Sequence, residues 1–130
     1  MIFHDYYSDI PRAEVDRFVG SQELARLVTV GDDGTPHIGL YPFVYDANSL
    51  DLHLVRSDEQ IKDLKQRARC VLEVDEVLAV IPSYWVSPEY GGAATAYHRT
   101  VIFECEAKVE EDPAGVSGRR EGVLGRDPPE

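Results

Sequence analysis

The stretch from Ala96 to Glu110 alternates so strictly that only an extended conformation suits it. Val101, Phe103, Cys105, Ala107 and Val109 fall on one side, and Ile102, Glu104, Glu106, Lys108 and Glu110 on the other. Side chains repeat every two residues along a strand and every 3.6 along a helix, so a helix would scatter these apolar groups around its surface. A long strand with one apolar face needs neighbouring strands and something to cover that face.

The rest of the chain supplies both. Ala25 to Val30 reads as a strand, Gly31-Asp32-Asp33-Gly34 as a turn and Thr35 to Tyr45 as a second strand, which together predict a hairpin. Pro36 and Pro42 cannot donate to a ladder, which sets them at an edge, a bulge or a site. Asp46-Ala47-Asn48-Ser49 is the next turn. Leu50, Leu52 and Leu54 then alternate with Asp51, His53 and Val55 as a third strand. Cys70 to Ile81 is a long apolar-rich strand or pair of strands, and Tyr84 to Gly92 a loop with exposed aromatics. Two segments have helical spacing. Residues 10–22 carry Val15, Phe18 and Val19 on one face, with Pro11 in the first turn. Residues 57–67 turn Ile61, Leu64 and Ala68 inward, with Ser57 and Gln60 at the spacing of a capping box.

This pattern predicts a mainly β fold, an antiparallel barrel with short helices. A length of 130 residues suits one domain and leaves no room for a second core. The domain is expected over residues 1–113. Residues 114–130, rich in glycine and poor in apolar side chains, are expected to form a divergent or truncated tail. No apolar run is long enough to span a membrane. The N-terminus lacks a basic region followed by an apolar one, so a cytoplasmic protein is expected. A net charge of -11 argues against direct nucleic-acid contact. Cys70 and Cys105 lie within strand patterns and read as two buried free thiols, with no C-x-x-C motif. His4, His37, His53 and His98 are scattered without metal-binding spacing, and no G-x-S-x-G elbow is present, so neither a metal centre nor a hydrolase triad is expected.

Three segments occur in a familiar order: Leu40-Tyr41-Pro42-Phe43, then His53 to Gln60, then Tyr84-Trp85-Val86-Ser87-Pro88. Together they resemble the PaiB family, FMN-binding split barrels described as negative transcriptional regulators. Cys70 to Asp75 with Tyr97 to Pro113 is also similar to the nitroimidazole-resistance (Nim) branch of the same pyridoxamine 5'-phosphate oxidase-like superfamily. The likeness covers roughly residues 10–113. Members of both branches continue past the Glu-Asp-Pro with a helix and at least one more strand, which Gly115 to Glu130 does not resemble.

The resemblance implies a split β-barrel that binds FMN at the interface of a homodimer, each site drawing on both chains. FMN needs cations or free N–H groups for its phosphate, a flat apolar bed for its ring and hydrogen-bond partners for the ring's polar atoms. At the corner where a strand enters a helix, Arg56, Ser57, Gln60 and Lys62 are the phosphate candidates, opposed by Asp58 and Glu59 in the first turn. Leu40, Tyr41 and Pro42, with His53 and Val55 opposite, are the ring-bed candidates. Tyr97, His98 and Arg99 stand where the family faces the partner's flavin. The activity implied is that of an FMN-dependent oxidoreductase or flavin reductase. The alternatives are a PaiB-like regulator that is not an enzyme, and a barrel that binds no flavin. The resemblance leaves heme or a deazaflavin open in place of FMN.

Overall fold

The computed structural model describes residues 10–111 and the backbone of Leu124–Gly125. Helix α1 (Arg12–Ser21) begins after Pro11 and packs Val19, Val15 and Phe18 against the sheet. Strand β1 (Leu24–Val30) and strand β2 (Pro36–Asp46) form the predicted hairpin. Gly34 sits in its turn at φ 83, a conformation that favours glycine. Strand β3 (Ser49–Leu52), helix α2 (Glu59–Gln66), strand β4 (Arg69–Ile81) and strand β5 (Thr95–Glu106) follow. Two short 3-10 turns lie between the last two, and Tyr84, Trp85 and Tyr90 there are exposed, as the sequence suggested.

The sheet order is β5-β4-β1-β2-β3-β6, where β6 is the pair Leu124–Gly125. Each neighbouring pair is antiparallel. β6 pairs with Ser49 and Leu50 and also lies close to β5, so the two ends of the strand order approach each other as in a barrel. The remainder of the expected tail, and the boundary drawn at Pro113, fall outside the described residues.

β2 is the strand that changes partner. Its first seven residues, Pro36 to Pro42, pair with β1, and Phe43 to Asp46 pair with β3. Pro42 explains the break. N–H groups of successive strand residues point to opposite sides, and Phe43 N donates towards β1, to Glu23 O at 3.3 Å. The missing N–H of Pro42 is therefore the one that would have reached towards β3. The β2–β3 ladder starts at Phe43 opposite Leu52. This corrects the predicted third strand, because His53 to Val55 leave the ladder even though Leu54 stays buried.

The core is a single apolar cluster. Leu27, Leu50, Leu52, Leu72, Val74 and Phe103 have no exposed surface, and Ile61 and Leu64 close it from α2. Ala68 does not join them. The helix ends at Gln66, and Ala68 is exposed. The alternation in β5 puts Phe103 and Cys105 inside, as predicted. Beyond Asp75 the β4–β5 ladder carries a bulge between Val77 and Ala79, and Val77, Leu78, Val80 and Tyr97 are exposed. No described helix is long and apolar enough to cross a membrane.

Phe103 and Leu72 face each other across β4 and β5 at full burial. Phe103→Ala should cost about 3–5 kcal/mol and Leu72→Ala about 2–5 kcal/mol, read as a lower urea midpoint with an unchanged slope.

Candidate functional site

The corner between β3 and α2 is built on polar groups inside the molecule. Asp58, not Ser57, caps α2: its Oδ1 accepts from Gln60 N at 2.9 Å. This corrects the capping-box reading. Gln60 is 4% exposed, and its amide NH2 donates to Leu27 O, Thr29 Oγ1 and His37 O at 2.9, 3.1 and 3.2 Å. Its side chain therefore points into the sheet, away from any phosphate bound outside. The Tyr41 hydroxyl lies 2.7 Å from Asp58 Oδ2 and 2.6 Å from Gln60 Oε1, and its one proton serves these two acceptors. Burial, and then the hydrogen bond to Asp58, push the Tyr41 hydroxyl well above the usual phenol range, so it stays a donor. Gly39 leaves the space this arrangement uses, since a Cβ there would overlap Gln60 Oε1 and the Tyr41 ring.

Asp63, one turn further along α2, is also buried. Its Oδ2 accepts from Thr29 Oγ1 at 2.7 Å and lies 2.6 Å from His37 Nδ1. Burial pushes the Asp63 carboxyl up, but the bonds from His37 and Thr29 outweigh it and hold the group below its ordinary value. The hydrogen bond to Asp63 raises His37, and the charges of Asp63, Glu59 and Asp33 add to this. His37, Asp63 and Thr29 were missed as a group in the sequence. The available signal was that His37, Gly39 and Tyr41 share one face of β2.

Outside this polar layer lie the proposed contacts. Arg56, Ser57 and Lys62 are exposed at the corner, with Lys65 on the same helix. Of the two carboxylates that would oppose a phosphate, Asp58 is drawn towards Tyr41 and its own helix end, whereas Glu59 stays exposed. Glu111 is held below its ordinary range first by its hydrogen bond to Lys65, at 2.5 Å, with Arg56 contributing. That ion pair lies at the far end of α2, since Lys65 belongs to the last turn of the helix. On β2, Leu40 and Pro42 are exposed on the outer face, and Val55 and His53 are exposed beyond β3. Tyr41 belongs to the inner face, so of the proposed bed it contributes its hydroxyl to the corner rather than a flat surface. The chemistry of this set, with cations and a hydroxyl beside exposed apolar strand surface, fits a flavin mononucleotide.

Tyr97, His98 and Arg99 are not brought to that corner within one chain. They lie on β5, which along the ladder is separated from β3 by β4, β1 and β2, and they pair there with Ala79, Val77 and Glu76 of β4. Arg99 pairs with Glu76 at 3.0 Å, and His98 Nδ1 is 2.7 Å from Thr100 Oγ1. Between these regions an open groove of about 430 Å³ is lined by Arg26, Leu24, Leu40, Asp75 and Glu76. Arg26 there is engaged by Glu73 at 3.1 Å and by Asp75. The acidic lining makes the groove a poor place for a phosphate. No group of three or more His, Cys, Asp or Glu residues able to hold a metal occurs among the described residues.

A strand-switching antiparallel sheet with this corner defines a split β-barrel of the flavin-binding kind. Residues 1–123 match the family described as "Putative FMN-binding domain", and the chain belongs to that family. Membership supports a flavin as its cofactor. The chain is similar in structure to a FAD-binding protein from Mesorhizobium loti, at 14% identity and a TM-score of 0.59, covering 82% of this chain and 66% of that one. It is similar to a conserved hypothetical protein from Mycobacterium tuberculosis, at 22% identity and a TM-score of 0.60, covering 81% and 56%. It is also similar to HutZ, the heme storage protein from Vibrio cholerae, at 15% identity and a TM-score of 0.58, covering 91% and 89%. The chain spans less than two thirds of the length of the first two. No curated protein matches the chain.

The His37–Asp63 pair gives a pH dependence of known sign. A histidine raised in the folded state adds stability in full below its unfolded value, near 6.5, and loses it as pH rises through its higher native value. Thermal melts should show stability falling over that interval, and Asp63→Asn should flatten the profile. Gly39→Ala should displace Gln60 and Tyr41 and lower Tm, by an amount larger than the same change at exposed Gly20, where a Cβ meets nothing within 4 Å.

Proposed function

We propose that the chain is an FMN-binding flavoprotein that acts as a homodimeric oxidoreductase of the flavin-reductase type. The observation that carries the reading is the sorting of charge at the β3–α2 corner. The carboxylates of Asp58 and Asp63 are engaged towards the sheet side, while Arg56, Ser57 and Lys62 are exposed beside the one exposed acid of the first turn, Glu59. The phosphate would be held by Arg56, Ser57 and Lys62, and the ring would lie over Leu40, Pro42 and Val55. Bound flavin supplies two-electron chemistry with a nicotinamide donor. The protein's part is to hold and orient it and to exclude water.

Exclusion of water is the argument for a second copy. Leu40 is 54% and Val55 62% exposed, so a ring laid on them in one chain would leave its other face to solvent. Pairing two chains would cover that face, and it would also let Tyr97, His98 and Arg99 of one copy reach the flavin held by the other. The PaiB-like alternative keeps the flavin and the dimer without turnover.

Purified protein loaded with FMN and desalted should retain a flavin absorption band, near one per chain, and should migrate as a dimer. Oxidation of reduced nicotinamide supports the oxidoreductase, whereas a retained but inert flavin supports the regulator. Arg56→Ala should weaken FMN binding about tenfold, the usual effect of losing one charged hydrogen bond. Glu111→Gln should strengthen it by removing the anion that Lys65 and Arg56 already attract. Unchanged titrations for both variants would show that the phosphate lies elsewhere.

A further inference from the structure

We propose that Cys70 and Cys105 form a redox-active dithiol that a small disulfide, such as glutathione disulfide, oxidises to a bond between β4 and β5. The two residues face each other directly in the antiparallel ladder. Facing residues in such ladders have Cα atoms about 4.5–5.5 Å apart, inside the roughly 4.4–6.8 Å that disulfides span. Their side chains share the inner face of the sheet, 4% and 3% exposed. A hydrogen bond from the Cys105 thiol draws the Cys70 thiol below its ordinary value. Phe103 O, 3.6 Å from Cys105 Sγ, is a second acceptor for the same hydrogen.

The order of reaction follows from that asymmetry. Cys70 loses its proton and its sulfur attacks one sulfur of the small disulfide; one glutathione leaves as thiolate. Cys105, deprotonated in turn, attacks the Cys70 sulfur of the mixed disulfide and the second glutathione leaves. The protein loses two hydrogens and the small disulfide gains them. Access is through β5, which within the described ladder is bonded on one side only, to β4. Although β6 lies close by, β5 has a single ladder partner to release, so local opening of β5 exposes both thiols together. The new bond fixes the β4–β5 register on the barrel side of the exposed ribbon that carries Tyr97, His98 and Arg99. The proposal does not depend on flavin binding.

The test uses the full chain, without added FMN, incubated in its folded state with glutathione disulfide, then alkylated and digested with trypsin. Cleavage after Arg69, Arg99 and Lys108 puts the two cysteines on separate peptides, 70–99 and 100–108. Expected are loss of both free thiols, a disulfide-linked pair of those peptides from a single chain, an intact mass lower by two hydrogens and a rise in Tm that dithiothreitol reverses. Cys105→Ser should stop at a glutathione adduct on Cys70. Thiols that remain fully alkylatable overturn the proposal. So do adducts on both cysteines without a cross-link, or a link only between chains. If Cys105→Ser does not fold, the peptide map of the unsubstituted protein decides the matter.

Discussion

The position of α2 depends on the buried carboxylate of Asp63. A charge taken out of water is costly unless it is paired and hydrogen-bonded. Asp63 meets that condition only when the helix is seated so that one oxygen reaches both Thr29 on β1 and His37 on β2. Ile61 and Leu64 supply the apolar burial on the same helix, but that attraction is non-directional and tolerates sliding. The polar contacts do not. Gln60 adds a second constraint, because its amide bridges the backbone of both strands of the hairpin. The helix is therefore fixed in register as well as in depth, and everything built on its first turn inherits that precision.

The corner inherits it from two directions. Gln60 and Asp58 from the helix meet Tyr41 from β2, so the start of α2 is tied to the middle of the strand that changes partner. Pro42 follows immediately and ends the β3 ladder, which frees His53 and Val55 to face outward on either side of buried Leu54 before the helix begins. A surface of alternating character results. The inner side of β2 carries hydrogen-bonding groups for the helix, and the outer side, one residue out of phase, carries exposed apolar groups beside the basic corner.

Much of this was legible in the sequence. Period-two alternation placed β3 and β5 and put Phe103 and Cys105 on one apolar face, because burial on one face writes itself directly into the order of residues; the turn at Gly31 to Gly34 separated β1 from β2, and β4 showed only as an apolar-rich run. The site was legible only in part. Gln60 looked like a surface group because its position in the first turn suits both capping and ligand binding, and nothing local states that it points at a strand more than twenty residues away. His37 and Asp63 were invisible as a pair for the same reason. The partner of a buried charge is set by tertiary packing, whereas the partner of an alternating apolar face is implied by the pattern itself. The facing of Cys70 and Cys105 likewise depends on the β4–β5 register, which no local signal fixes.

The overall charge illustrates the same difference of scale. A formal net charge of -11 reads as a molecule that repels anions. Yet at physiological ionic strength the Debye length is about 8 Å, so exposed charges act mainly on their immediate surroundings. At the β3–α2 corner the exposed charges are Arg56 and Lys62 against Glu59, because the nearby acids Asp58 and Asp63 are turned to internal donors. Further along the same helix the hydrogen bond to Lys65 holds the exposed Glu111 carboxylate below its ordinary range, so a single local cation acts against the sign of the whole chain. An anion-binding corner is thus compatible with an acidic protein, because the charge that bears on a bound phosphate is that of its immediate neighbours rather than the sum over the chain.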